Sequence, residues 1–219
     1  MAEKDSIDAI LGILRETASS LRTPAVGVVA EETKDPFAVL ISCILSLRTR
    51  DETTATASAR LFNIADTPEQ ILRLTEEQIA NVIYPVSFYR NKARSILSIS
   101  EMLINDFSGQ VPDDLDTLLT LPGVGRKTAN LVVSVAFGKP AICVDIHVHR
   151  ISNRLGYIQT KSPDESEMAL RKKLPEQYWI TLNDILVPFG QYICTPISPF
   201  CSRCPVKIYC RQVGVSKHR

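Results

Sequence analysis

The chain has no apolar run long enough to span a bilayer. Its longest apolar stretches, such as Phe37–Leu47 and Leu131–Phe137, are broken by polar residues, and Met1-Ala2-Glu3-Lys4-Asp5 opens without the apolar segment of a signal peptide. These absences exclude a helical membrane protein and predict residence in the cytoplasm or another intracellular compartment, where thiols stay reduced. Asn-Gly and Asp-Gly hairpin turns are missing and alternating strand patterns are scarce, which excludes a fold built from β-hairpins. No repeat of solenoid period, low-complexity run or Gly/Ser linker appears, so any division into domains must come from helices packing in separate groups. A formal net charge of +1 gives no bulk attraction to a polyanion.

What is present is helical periodicity. With 219 residues and 45% apolar content, the chain is long enough for one substantial core or two modest ones. Ile7, Ile10, Leu11, Leu14, Ala18 and Leu21 share one helical face, with Asp5 or Ser6 as the expected cap. Further start signals follow at Asp35-Pro36, Asp51-Glu52, Thr67-Pro68, the capping box Thr75-x-x-Gln78, Pro112-Asp113 and Ser162-Pro163 with Glu165. An all-α protein of about ten short helices is predicted, with Lys217-His218-Arg219 frayed at the end.

Charge is unevenly spread. Between Leu121 and Arg154 the bases Arg126, Lys127, Lys139, Arg150 and Arg154 stand against one acid, Asp145; from Cys201 onward Arg203, Lys207, Arg211, Lys217 and Arg219 stand against none. A phosphate-facing surface produces this asymmetry, and so does a plain solvated face.

Six cysteines in a reducing compartment are poor disulfide candidates, and four of them fall within 17 residues as Cys194-x6-Cys201-x2-Cys204-x5-Cys210. Four soft thiolates on a Pro-rich loop suit a cuboidal iron–sulfur cluster or tetrahedral zinc. Zinc favours two short C-x-x-C knuckles, whereas Cys201 and Cys204 form one, so the spacing favours a [4Fe–4S] cluster. With no second cysteine set and no flavin motif, its expected role is a structural clip that positions Arg203, Lys207 and Arg211. Cys43 and Cys143, each in an apolar run, read as buried core residues.

Leu118–Ala129 reads as a short helix, a tight turn through Gly123 and Gly125, and a second helix starting near Arg126 and running through Leu131, Val132, Val135 and Ala136. Glycines permit close backbone approach, and the free N–H groups at the new helix start attract an anion, for which a DNA phosphate is a natural guest. No strand precedes the turn and P-loop spacing fails, which excludes nucleotide-loop readings. Lys127 sits where the helix dipole and Arg126 disfavour its ammonium, so it reads either as an amine nucleophile or as a phosphate-binding cation. Downstream, Asp145 reads as the N-cap of a helix carrying Val148, Ile151 and Leu155, or as a carboxylate held beside a reacting centre. His147 reads as a hydrogen-bonding partner in that turn, since no second ligand has zinc spacing to it.

Leu121-Pro-Gly-Val-Gly-Arg-Lys-Thr-Ala-Asn130, then Val144-Asp145-Ile-His147, then the four-cysteine spacing, resembles the endonuclease III family of helix-hairpin-helix DNA glycosylases, from about Pro36 to Cys210. The resemblance implies a helical barrel of residues 23–139 and a cluster domain of residues 1–22 and 140–219, flanking a DNA-binding cleft. It implies a monomer acting on double-stranded DNA with damaged bases or abasic sites. The target nucleotide would be flipped out. Lys127 would attack C1′ and displace the base, Asp145 would stabilise positive charge and handle protons, and β-elimination would nick the strand on the 3′ side. Oxidised pyrimidines are the implied lesions, and Lys127 implies glycosylase plus lyase activity. Two departures from the family pattern stand out. Arg48 replaces a common glutamine that fills the gap left by the flipped base, and Ser87 replaces a glycine. Phe88 aligns with an apolar wedge that enters the base stack, or else is an ordinary core aromatic. The departures leave two alternatives: a non-catalytic DNA-binding protein, or a monofunctional glycosylase of altered base choice.

Overall fold

Several helices in this chain start where a short polar side chain takes up a free backbone N–H. The computed structural model describes residues 2–19, 26, 29, 33 and 35–219. Its helices are α1 (Ala2–Ser19), α2 (Pro36–Ser46), α3 (Asp51–Phe62), α4 (Pro68–Ile71), α5 (Glu76–Ile83), α6 (Tyr89–Phe107), α7 (Leu115–Leu118), α8 (Arg126–Phe137), α9 (Ile146–Leu155), α10 (Pro163–Lys173) and α11 (Leu182–Tyr192). No strand occurs among the described residues. Asp35 accepts from the N–H groups of Phe37 and Ala38, with Pro36 at the first helical position. Thr67 caps α4, Ser162 caps α10, and Thr75 with Gln78 forms both halves of a capping box on α5.

Some boundaries differ from expectation. The first helix begins at Ala2, which leaves Asp5 and Ser6 inside it rather than capping it; Leu21 lies outside the described residues. The cap position of α3 is Arg50, which makes no side-chain cap bond, and Asp51 takes the first turn, where its charge favours the helix dipole. Asp114, not Asp113, caps α7, accepting the Thr117 N–H at 2.9 Å. The last residues are tied down: Arg219 donates its N–H to Pro199 O, accepts from Ser202 N, and lays its guanidinium 4.0 Å from the Phe200 ring centroid.

The chain divides into two compact units, residues 25–141 and residues 1–24 with 142–219. The earlier of the two boundaries between them falls outside the described residues. In the 25–141 unit α2 is the central element, with Phe37 through Leu45 all buried against α3, α6 and α8. Leu61, Ile79, Ile83, Ile96, Leu118 and Val132 complete the core around it. In the other unit Ile7, Ile10, Leu11 and Leu14 of α1 pack with Val148, Ile151, Leu186 and Phe189 of α9 and α11. No helix among the described residues is long and apolar enough to cross a membrane.

Candidate active site and cluster site

The hairpin forms in the 25–141 unit. Leu118 and Leu121 anchor its first arm in the core, and Thr128, Ala129 and Val132 anchor α8. Gly123 turns the chain with φ +80°, a conformation that strains residues bearing Cβ. Gly125 is the cap residue of α8 at φ −96°, with no atom within 4 Å of where a Cβ would point. The N-terminus of α8, with no side-chain cap bond at Gly125, is the kind of helix start that suits an anion. Arg126 is half-buried and Lys127 is exposed in the first turn of α8. Burial pushes the Cys43 thiol on α2 up to about 12, against which the Lys127 charge acts in the lowering direction, so the lysine lies close enough to α2 to be felt there. Cys43 and Cys143 are both buried, as their apolar settings predict.

A second feature of the same unit brings Arg48 and Phe88 together. Both have left-handed backbone, φ 55° and 57°, and the Arg48 guanidinium lies 5.8 Å from the Phe88 ring centroid. Phe88 is 59% exposed, which removes the core-aromatic alternative. Sequence reasoning missed the residue beneath them. The Lys92 side chain is buried, and its ammonium donates to Leu45 O at 2.8 Å, Leu47 O at 2.6 Å and Thr49 Oγ1 at 3.2 Å. Desolvation lowers its pKa to about 8.

In the other unit Asp145 caps α9, one carboxylate oxygen accepting the N–H groups of His147 at 2.8 Å and Val148 at 2.9 Å. Its side chain is thus held by the backbone while Ile146, beside it, is exposed. His147 shares a hydrogen bond of 3.0 Å with Arg150, whose fork also donates to Gly190 O and Cys194 O at 2.9 Å each. Gly190 makes that approach possible: a Cβ there would stand 2.5 Å from His147 Nδ1 and 3.0 Å from Arg150 Nη2. A glycine inside a helix, directly after the apolar run Ile185–Phe189, was the available signal for it.

The basic pattern is only partly a surface. Lys139 pairs with Asp113 at 2.6 Å, Arg150 turns inward as described, and Arg154 donates to Thr195 O and Pro196 O at 2.7 Å each. Arg203 and Lys207 are exposed, Arg203 stacking 4.0 Å from the Phe200 ring centroid.

Cys194, Cys201, Cys204 and Cys210, none in a disulfide, line one cavity whose other walls include Ile151, Leu155, Phe189, Ile193 and Val206. The thiols surround this space rather than close on a point: among the described residues no three His, Cys, Asp or Glu side chains are set to ligate a single metal ion. Burial raises Cys204 to about 11 and Cys210 above the ordinary thiol range. Arg154 Nη1 and the Gln212 N–H point at Cys194 and Cys210 sulfurs, each at 3.4 Å. Apolar walls, N–H donors aimed at sulfur and a fourfold thiol set fit a thiolate-bound iron–sulfur cluster, whose irons would offset the cost of desolvated thiolates.

Residues 41–176 match the model of the HhH-GPD superfamily base excision DNA repair proteins. The chain belongs to this superfamily. Among HhH-GPD relatives, endonuclease III of Thermotoga maritima is 51% identical over 176 residues, covering 80% of this chain and 83% of that protein. Endonuclease III of Bacillus subtilis is 43% identical over 179 residues, covering 81% and 82%. Among solved structures, a trapped endonuclease III–DNA covalent intermediate superposes with a TM-score of 0.83 at 37% identity, covering 95% of this chain and 96% of that one. A non-covalent endonuclease III–DNA complex gives 0.85 at 38% identity, covering 95% of each.

Proposed function

We propose that the protein is a base-excision repair DNA glycosylase with AP lyase activity, acting on oxidised pyrimidines in duplex DNA. The observation that carries this reading is an exposed lysine in the first turn of the hairpin's second helix, in a chain 51% identical to an endonuclease III. In the proposed reaction the neutral amine of Lys127 attacks C1′ of the damaged nucleotide, and the C1′–N bond breaks as the base leaves with a proton. The sugar opens to an imine on Lys127. Loss of a C2′ proton then expels the 3′ phosphate oxygen, and water releases the lysine from the unsaturated aldehyde. The Asp145 carboxylate, fixed by two backbone N–H groups, stabilises the developing positive charge and accepts protons.

Around this chemistry, Gly123, Gly125 and Arg126 receive a backbone phosphate, Arg203 and Lys207 add phosphate contacts, and His147 orients the turn after Asp145. Arg48 and Phe88 enter the duplex, Arg48 donating to the base left without a partner and Phe88 wedging the stack; their exposure and mutual contact support this. Cys194, Cys201, Cys204 and Cys210 hold a [4Fe–4S] cluster, which supplies a structural clip for the C-terminal loops. Duplexes containing thymine glycol, dihydrouracil or an abasic site should be cut to 3′ unsaturated-aldehyde ends. Base release without scission would make the enzyme monofunctional, and binding without either would make it a non-catalytic binder. Metal analysis should find about four irons per chain; stoichiometric zinc would overturn the cluster.

A further inference from the structure

We propose that Lys92 is a positioning residue that locks the Arg48 loop and the Phe88 turn into a single DNA-inserting unit. The inference rests on the proposed insertion of those two side chains. Its observation is a buried ammonium whose three donors meet three oxygens of one short segment: Leu45 O, Leu47 O and Thr49 Oγ1. That segment is the end of α2 and the loop bearing Arg48. Lys92 itself stands one turn after Phe88, and its own N–H donates to Phe88 O at 3.0 Å. A second tie runs in the same direction, from the Ser87 N–H to Thr49 Oγ1 at 3.2 Å. The two left-handed residues are thus bracketed on both sides by bonds between the same two segments.

An ordinary amphipathic helix has no need of this arrangement. A buried ammonium held only by neutral oxygens carries a large desolvation cost, which the lowered pKa registers, and an apolar side chain at that core-facing position would avoid it. Left-handed backbone at a non-glycine residue is also unfavourable, and here it occurs at both of the residues whose side chains touch in solvent. Lys92 holds both distortions. It caps the carbonyls released at the end of α2, and so prevents the Arg48 loop from relaxing into another turn of helix. What it fixes is the separation and direction of the two inserting side chains, an ordering cost that duplex binding then does not carry.

The test measures the affinity of the iron-loaded full chain for duplex with a tetrahydrofuran abasic analogue, relative to undamaged duplex. Arg48→Ala should lower this ratio about tenfold, the worth of one good base contact. Lys92→Met should lower it by a similar factor with affinity for undamaged duplex unchanged, and adding Arg48→Ala to Lys92→Met should change it by less than about threefold. Thr49→Val, which keeps Lys92 but removes the acceptor it shares with Ser87, should lower the ratio in the same direction and carries the test if Lys92→Met does not fold. A loss from Arg48→Ala that is undiminished in the Lys92→Met or Thr49→Val background overturns the inference and leaves the insertion reading standing. No loss from Arg48→Ala in the otherwise natural chain overturns the insertion reading itself.

Discussion

Two glycines only two residues apart in the hairpin should respond differently to the same added methyl group. At Gly123 the backbone is left-handed, φ +80°, and an added Cβ would lie 3.3 Å from Ser95 Oγ and 3.6 Å from Ser95 Cβ on α6. The conformation costs an alanine about 1–2 kcal/mol. Stiffening of the unfolded chain returns about 0.4–1 kcal/mol, and the crowded serine takes part of that back. Gly123→Ala should therefore lower stability by about 0.5–1.5 kcal/mol. At Gly125 the backbone is extended and nothing lies within 4 Å of the new methyl. The poorer helix cap and the stiffer unfolded chain nearly cancel, so Gly125→Ala should stay within about 0.5 kcal/mol of the natural chain. Gly125 is among the residues proposed to receive a phosphate, so a side chain added there should lower duplex affinity. Urea unfolding followed by far-UV circular dichroism, beside fluorescence-anisotropy titration of an undamaged duplex, measures both. If Gly125→Ala is the less stable of the two, or binds duplex as well as the natural chain, the reading of the hairpin is wrong.

Asp145 carries a structural and a proposed chemical role that substitutions separate. Asp145→Asn keeps a good cap and should change stability by under about 0.5 kcal/mol while scission collapses; Asp145→Ala should lose about 0.5–2 kcal/mol as well, read by melting and by a gel-based nicking assay. Gly190→Ala should force His147 and Arg150 apart and cost about 1–3 kcal/mol, visible as a lowered melting temperature. Lys92 sets a pH dependence. Its folded pKa of about 8 lies below the ordinary 10.5, so between those values the unfolded chain binds more protons and stability from this group rises with pH. Urea midpoints of the natural chain, corrected by those of Lys92→Met, should show that rise from about pH 8 to 10 and no rise below about pH 7.

Elements whose cause is local were legible in the sequence. Asp35, Thr67, Thr75 and Ser162 act within three or four residues, and each cap forms where its spacing indicates. The hairpin turn at Gly123 and the cap at Asp145 are local in the same sense. What depends on distant partners was not legible. Lys92 sits in an amphipathic helix, where a lysine reads as solvated; its partners lie 43 to 47 positions earlier in the chain. The stretch of bases from Arg126 to Arg154 reads as a surface until the structure directs Arg150 and Arg154 to carbonyls some 40 positions away. Fraying at the C-terminus is the ordinary expectation for three polar residues, and the Phe200 ring and the Pro199 carbonyl override it. Phe88 was ambiguous because an aromatic residue before a helix suits a core as well as a surface, and only its exposure and left-handed backbone decide between them.

The central claim is that Lys127 forms a covalent imine with DNA. Sodium borohydride added during reaction with a duplex containing thymine glycol or an abasic site should reduce that imine to a stable amine and shift the protein on a denaturing gel. The account predicts a trapped band for the natural chain, its peptide map placing the adduct on Lys127, and no band for Lys127→Ala. A band undiminished in Lys127→Ala, or none in the natural chain on any of these substrates, contradicts it.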